Sequence, residues 1–141
     1  MSVVSTIDRK SELIHALEDI GCRVTGPRVE IIQEISTLEG SFTAEDINTR
    51  LPALGRATIF RTIKLLQDTQ KLCKTVLFDG TVRYSLDTGF HHHHLICVKC
   101  GDIKEMRSME LERVLRVAAK KIPDQVVGHS LEIYRICSNC S

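Results

Sequence analysis

Tryptophan is absent and aromatic residues make up only 4% of the 141-residue chain. Any core must therefore be aliphatic, and a small domain of that kind often needs a metal staple. No apolar run approaches the ~20 residues of a membrane span. The first residues, MSVVSTIDRKSELIHAL, lack the apolar stretch and small-residue cleavage site of a secretory signal, so the expected location is the cytoplasm, with no membrane partner. A charge excess is missing too: 19 Lys and Arg face 18 Asp and Glu, for a net charge of +1. Residues 1–87 alone carry 11 basic and 12 acidic side chains. Bulk electrostatics therefore give no support to nucleic-acid binding, which must rest on the placement of single residues. The length suits one medium domain or two small ones.

What the chain does have is soft ligands. Six cysteines are present, four of them in two Cys-x-x-Cys pairs, Cys97/Cys100 and Cys137/Cys140. Two intervening residues let both sulfurs of a pair converge on one ion, and four thiolates form a closed tetrahedral Zn²⁺ site. Buried or redox-active thiols are the alternative reading; two matched pairs argue against it, as does the lack of a thioredoxin-like βαβ context. The first pair follows four consecutive histidines in FHHHHLICVKCG, residues 90–101. If residues 91–96 form a strand, side chains alternate between its faces. His91 and His93 then face one way, and His92 and His94 the other, supplying two half-sites. Four exposed histidines without metal are the bland alternative.

The rest of the chain divides by hydrophobic period. RKSELIHALEDIG places Leu13, Ile14, Leu17 and Ile20 at helical spacing and stops at Gly21. VTGPRVEIIQEIS offers Thr25 as N-cap, Pro27 in the first turn, and Val29, Ile32 and Ile35 on one face. SFTAEDINTRL carries Thr43 as N-cap, Asp46 three residues on, and Phe42 as a hydrophobic staple. After the turn LPALG, RATIFRTIKLLQD resumes helical spacing at Ile59, Ile63 and Leu66. Two helices around a tight connection indicate helix-turn-helix. KLCKTVLF and TVRYSLD then read as strands joined at Asp79-Gly80, a two-residue hairpin signal. Helices closed by a hairpin make a winged helix.

A boundary is expected in LDTG, giving domains 1–87 and 88–141. Beyond it, HHHHLIC, DIKEM and VVGHSLEIYRIC read as strands. SMELERVLRVAAKKI reads as one amphipathic helix with Leu111, Val114, Leu115, Ala118 and Ile122 on one side. The fold class is α+β. His129 is placed on the last strand, on the same face as Cys137, and Glu105, Glu110 and Glu112 fall in or just before the helix. These can complete one histidine half-site. Cys73, Asp79 and Asp87 of the hairpin region are available to the other.

The order winged helix, histidine run, Cys-x-x-Cys, helix, His, Cys-x-x-Cys resembles the ferric uptake regulator superfamily of metal-dependent repressors. The segments that carry the resemblance are VTGPRVEII, FTAEDI, GRATIFRTIKLL, HHHHLICVKCG and GHSLEIYRICSNC. It implies a small C-terminal α/β dimerisation domain, and a homodimer that binds palindromic double-stranded operators when regulatory metal is present. It implies structural zinc on Cys97, Cys100, Cys137 and Cys140, and a second site on His91, His93, Glu112 and His129. His92 and His94 match an inter-domain regulatory site. Iron- and peroxide-sensing members add a His before TAED and an acidic residue after the wing aromatic, where this chain has Ser41 and Ser85. Zinc uptake regulators add a Cys and an Asp on the wing, matched by Cys73 and Asp87 with their identities exchanged. A Cys73, Asp87, His92, His94 set suits Zn²⁺, whereas Fe²⁺ or Mn²⁺ favours more nitrogen and oxygen. Cys73 can equally pack as a small hydrophobe. Glu105 aligns with an acidic ligand of the iron-type site, which keeps iron open.

By the same resemblance, GRATIFRTIKLL is the recognition helix. Thr58, Phe60 and Arg61 lie toward its reading end, and Arg23, Arg28 and Arg56 are backbone clamps. Zinc hydrolases of the His-Glu-x-x-His and deaminase types are excluded because their motifs are absent. A zinc-storage role explains the ligands but leaves a winged helix without a task.

Overall fold

A computed structural model describes residues 6–87 and 91–141, with side chains from Asp8 onward. Contacts divide the chain into two compact units, Met1–Gly89 and Phe90–Ser141. The expected boundary after Asp87 abuts residues 88–90, which lie outside the described residues.

In the first unit, α1 (Thr6–Asp19), α2 (Gly26–Thr37), α3 (Ala44–Arg50) and α4 (Arg56–Asp68) precede β1 (Leu72–Val76) and β2 (Val82–Leu86). The core is aliphatic, as the composition demands. Leu17, Ile31, Ile32, Ile35, Ile47, Ile59 and Leu66 are fully enclosed, with Phe42 and Tyr84 at one end. Ile31 joins the expected face of α2 while Val29 stays half-exposed, and Ile20 lies outside the core. Buried hydroxyls turn inward on their own helices: Ser36 donates to the Ile32 carbonyl at 2.7 Å and Thr62 to that of Thr58 at 2.8 Å.

Local chemistry sets the boundaries. Gly21, in the left-handed region, ends the α1 segment as the Cys22 N–H returns to the Leu17 carbonyl. Gln70 makes the corresponding turn after α4 at φ 63°, the Lys71 N–H bonding the Leu66 carbonyl. At α3 the capping box is complete: the Asp46 N–H donates to Thr43 Oγ1 at 3.0 Å, and the Thr43 N–H to Asp46 Oδ2 at 2.8 Å. Thr25 occupies the N-cap of α2 without a side-chain capping bond. Phe42 does more than staple a helix. Its backbone exchanges two hydrogen bonds with Tyr84, adding a one-residue third rung to the β1–β2 hairpin.

The hairpin loop is longer than the two residues expected. The Leu77 N–H bonds the Thr81 carbonyl and the Gly80 N–H the Leu77 carbonyl, with Gly80 at φ 86°. This is a type I turn followed by a left-handed glycine. Asp79 is spent inside it, accepting the Thr81 N–H at 2.8 Å.

In the second unit, β3 (His93–Cys97), β4 (Ile103–Met106), α5 (Met109–Lys120) and β5 (Glu132–Arg135) form a three-stranded sheet and one helix. β3 is central, antiparallel to β4 and parallel to β5. Two expectations need correction. The ladder begins at His93, so His91 and His92 precede the strand. The last strand is shorter than VVGHSLEIYRIC: His129 lies before β5, where Leu131 alone touches the ladder, through the His94 N–H. Helix α5 is amphipathic, yet none of its residues is buried. Val114 and Val117 stay at least half exposed, and Ile133 and Ile136 around β5 are exposed as well. Nothing among the described residues of the second unit covers this apolar surface.

Candidate metal centres and nucleic-acid face

The two Cys-x-x-Cys pairs converge. Cys97 ends β3, Cys100 lies in the turn to β4, and Cys137 and Cys140 follow β5. The parallel β3–β5 pairing carries one pair to the other, with the Val98 N–H bonding the Arg135 carbonyl at 2.9 Å. No disulfide links any of them, and their ligand atoms lie within 4.8 Å of one another. Zn–S bonds of about 2.3 Å require sulfur–sulfur edges of about 3.8 Å in a tetrahedron; Cys100 Sγ and Cys137 Sγ are 3.7 Å apart. The donor set fits zinc. N–H groups from the Cys137 and Cys100 backbone aim at Cys97 and hold its thiol down to about 6. The hydrogen bonds of Cys137 and Cys100 push Cys140 up to about 12. Arg135 donates to Asp102 Oδ2 at 2.7 Å, tying β5 to the turn that carries Cys100.

The second cluster forms on one side of β3. His91 Nε2 is 3.0 Å from His129 Nε2 and 3.3 Å from Glu112 Oε1, and His129 Nε2 is 3.1 Å from Glu112 Oε2. His93, fully buried, directs its Nε2 to the same carboxylate. Zn–N bonds of about 2.0–2.1 Å give edges near 3.3 Å, so these spacings fit a tetrahedral ion of N₃O type. The contacts of His93 and then His129, with the charge of His91, hold the Glu112 carboxyl below its ordinary range. His129 reaches the cluster from irregular chain rather than from a strand.

On the other side, the rings of His92 and His94 pack edge to face at 4.9 Å between centroids. Alternation across the run therefore holds although the ladder starts late. Glu105 joins this side, placed opposite His94 by the β3–β4 register and 3.7 Å from His92 Nε2. The strand expected from DIKEM is present as β4, but it carries Glu105 to the side of His92 and His94 rather than to the His129 side for which the sequence offered it. In the first unit, Cys73 of β1 and Asp87, just past β2, meet at 3.5 Å between Sγ and Oδ2. That contact makes Cys73 more than a packed apolar residue.

On the helices, α4 turns Ile59, Thr62, Ile63 and Leu66 inward and Phe60 and Arg61 outward. Phe60 is 47% exposed, a large aromatic surface for a core-forming residue type. Thr58 is half-buried. Arg56 pairs with Glu45 of α3, which partly neutralises it, and Arg28 donates to the Arg23 carbonyl at 2.5 Å. Arg23 itself is exposed.

The pattern of the ferric uptake regulator family matches residues 19–134. A ferric uptake regulation protein of Neisseria meningitidis is 35% identical over 132 residues, covering 90% of this chain and 92% of that protein. The crystal structure of the Vibrio cholerae ferric uptake regulator superposes with a TM-score of 0.73 at 30% identity, covering 87% of this chain and 98% of that one. A zinc uptake regulator complexed with zinc and DNA gives a TM-score of 0.70 at 21% identity, over 97% of this chain and 95% of that one, a likeness of fold alone. No helix among the described residues is long and apolar enough to cross a membrane. With its helix-hairpin unit, its cysteine tetrad and its split histidine run, the chain belongs to the ferric uptake regulator family of metal-dependent transcription regulators.

Proposed function

We propose that the chain is a zinc-responsive repressor, not an enzyme, acting in the cytoplasm as a homodimer on palindromic DNA operators. Residues 1–87 read DNA and residues 88–141 dimerise. Cys97, Cys100, Cys137 and Cys140 hold structural zinc; His91, His93, Glu112 and His129 hold a second ion; Cys73, Asp87, His92 and His94 serve as the regulatory set. The observation that carries zinc over iron is the Cys73–Asp87 pair, which supplies a soft sulfur donor to an otherwise nitrogen and oxygen set. The position of Glu105 beside His92 favours the second reading, an Fe²⁺, Mn²⁺ or peroxide-responsive regulator using an oxygen donor there.

When bound, a four-coordinate ion crosslinks its donors and removes conformations from the ensemble. The protein's part is to present the recognition helix in one attitude, with Thr58, Phe60 and Arg61 toward base edges and Arg23, Arg28 and Arg56 toward phosphates. The exposed apolar face of α5 and β5 supports a partner copy, since a helix of this pattern must bury its stripe somewhere. The decisive experiment is operator retardation across buffered zinc for Cys73→Ser and His92→Ala. Both should lose metal dependence; wild-type behaviour in both would remove the regulatory assignment.

A further inference from the structure

Arg83 is the one cation among the β1 and β2 residues on the hairpin face that carries Cys73 and Thr75. The register pairs Cys73 with Ser85 and Thr75 with Arg83, so these four side chains share the face opposite Tyr84 and the core. The guanidinium does not stay over its own rung. Its Nε donates to Ser41 Oγ at 2.8 Å and its Nη2 to the Ser41 carbonyl at 3.1 Å. The hydroxyl of Thr75, directly across the ladder and 1% exposed, has no partner. The Phe42–Tyr84 bridge brings Ser41 alongside Ser85, so one row runs Cys73, Ser85, Ser41. The face is polarised along that row. Thiol and carboxylate meet at the Cys73–Asp87 end, and a fixed positive charge covers both oxygens that Ser41 offers at the other.

We propose that Arg83 sets metal specificity: by occupying the Ser41 oxygens with a guanidinium, it denies oxygen-seeking cations their donors and leaves a divalent ion only the Cys73–Asp87 end. The inference rests on the regulatory assignment made above. Zn²⁺ is content with four donors that include sulfur, whereas Mn²⁺ takes more oxygen. A charge held at Ser41 therefore penalises Mn²⁺ more, because Mn²⁺ must approach it to complete its coordination.

The test uses the full-length protein with structural zinc retained, and measures Zn²⁺ and Mn²⁺ affinity by chelator competition. Arg83→Gln can still bond Ser41 but carries no charge; Arg83→Lys keeps the charge. Removing the charge should narrow the Zn²⁺/Mn²⁺ preference about tenfold, the scale of one screened charge a few ångströms away, while Arg83→Lys stays close to wild type. A preference unchanged in Arg83→Gln, with or without lost thermal stability, would reduce Arg83 to a clamp on the wing. Cys73→Ser provides the separate control. If it loses a zinc site while Arg83→Gln leaves the preference intact, this inference alone fails. If it binds zinc as the wild type does, the regulatory assignment fails and takes this inference with it.

Discussion

Cys97 and Cys140 lie in the same thiol cluster at opposite ends of the acidity scale. Backbone N–H groups stabilise the Cys97 thiolate, whereas Cys140 shares hydrogen bonds with sulfurs that a second negative charge would repel. Zinc binding must expel the thiol protons, so affinity falls with falling pH throughout the neutral range because Cys140 holds its proton. Below about 6 the slope should steepen, since Cys97 then takes up a proton as well. Chelator competition between pH 5 and 8, on the order of the range where such linkage is read, should show this; a pH-independent affinity would contradict a thiolate site. At Gln70 a different residue-level cost is visible. A side chain in the left-handed region costs about 1 kcal/mol relative to glycine, so Gln70→Gly should raise stability by roughly that amount in urea unfolding.

Among the elements, α4 has two tasks on two faces. Its inner face is sealed by Ile59, Ile63 and Leu66, and shortening Ile63 to alanine should cost about 2–5 kcal/mol through lost burial and an unfilled cavity. Its outer face spends nothing on the core, so Phe60→Ala should leave the melting temperature nearly unchanged while weakening operator binding. Comparing the two variants by calorimetry and DNA retardation separates folding from reading; equal stability losses would place Phe60 in the core instead. The elements also show where periodicity was enough. Helices with capping boxes and left-handed stops were legible from Thr43, Asp46 and Gly21. The edges of the sheet were not: the runs HHHHLIC and VVGHSLEIYRIC give no local stop, but the strands begin only at His93 and at Glu132, leaving His91, His92 and His129 outside them.

Taken whole, the molecule leaves α5 with no buried residue despite its apolar stripe. Val117→Glu should therefore convert a dimer to monomer in sedimentation while leaving the far-ultraviolet dichroism unchanged. A dimer that survives would place the interface elsewhere. The near balance of charge in residues 1–87 belongs to this scale as well. With no basic field to hold random DNA, binding should depend on two half-sites engaged at once, and metal and operator should tighten each other by the same factor.

The sequence alone determined the ligand types, their pairing by spacing and the alternation of the histidines, because these follow from bonds and strand geometry a few residues long. Tertiary structure decided what depends on contacts between distant segments. The parallel β3–β5 ladder brings Cys137 to Cys100, irregular chain swings His129 to Glu112, and Glu105 comes to His92. The guanidinium of Arg83 crosses from its own rung to Ser41, 42 residues earlier in the chain. No local pattern encodes such meetings; they exist only once the core has set the distances.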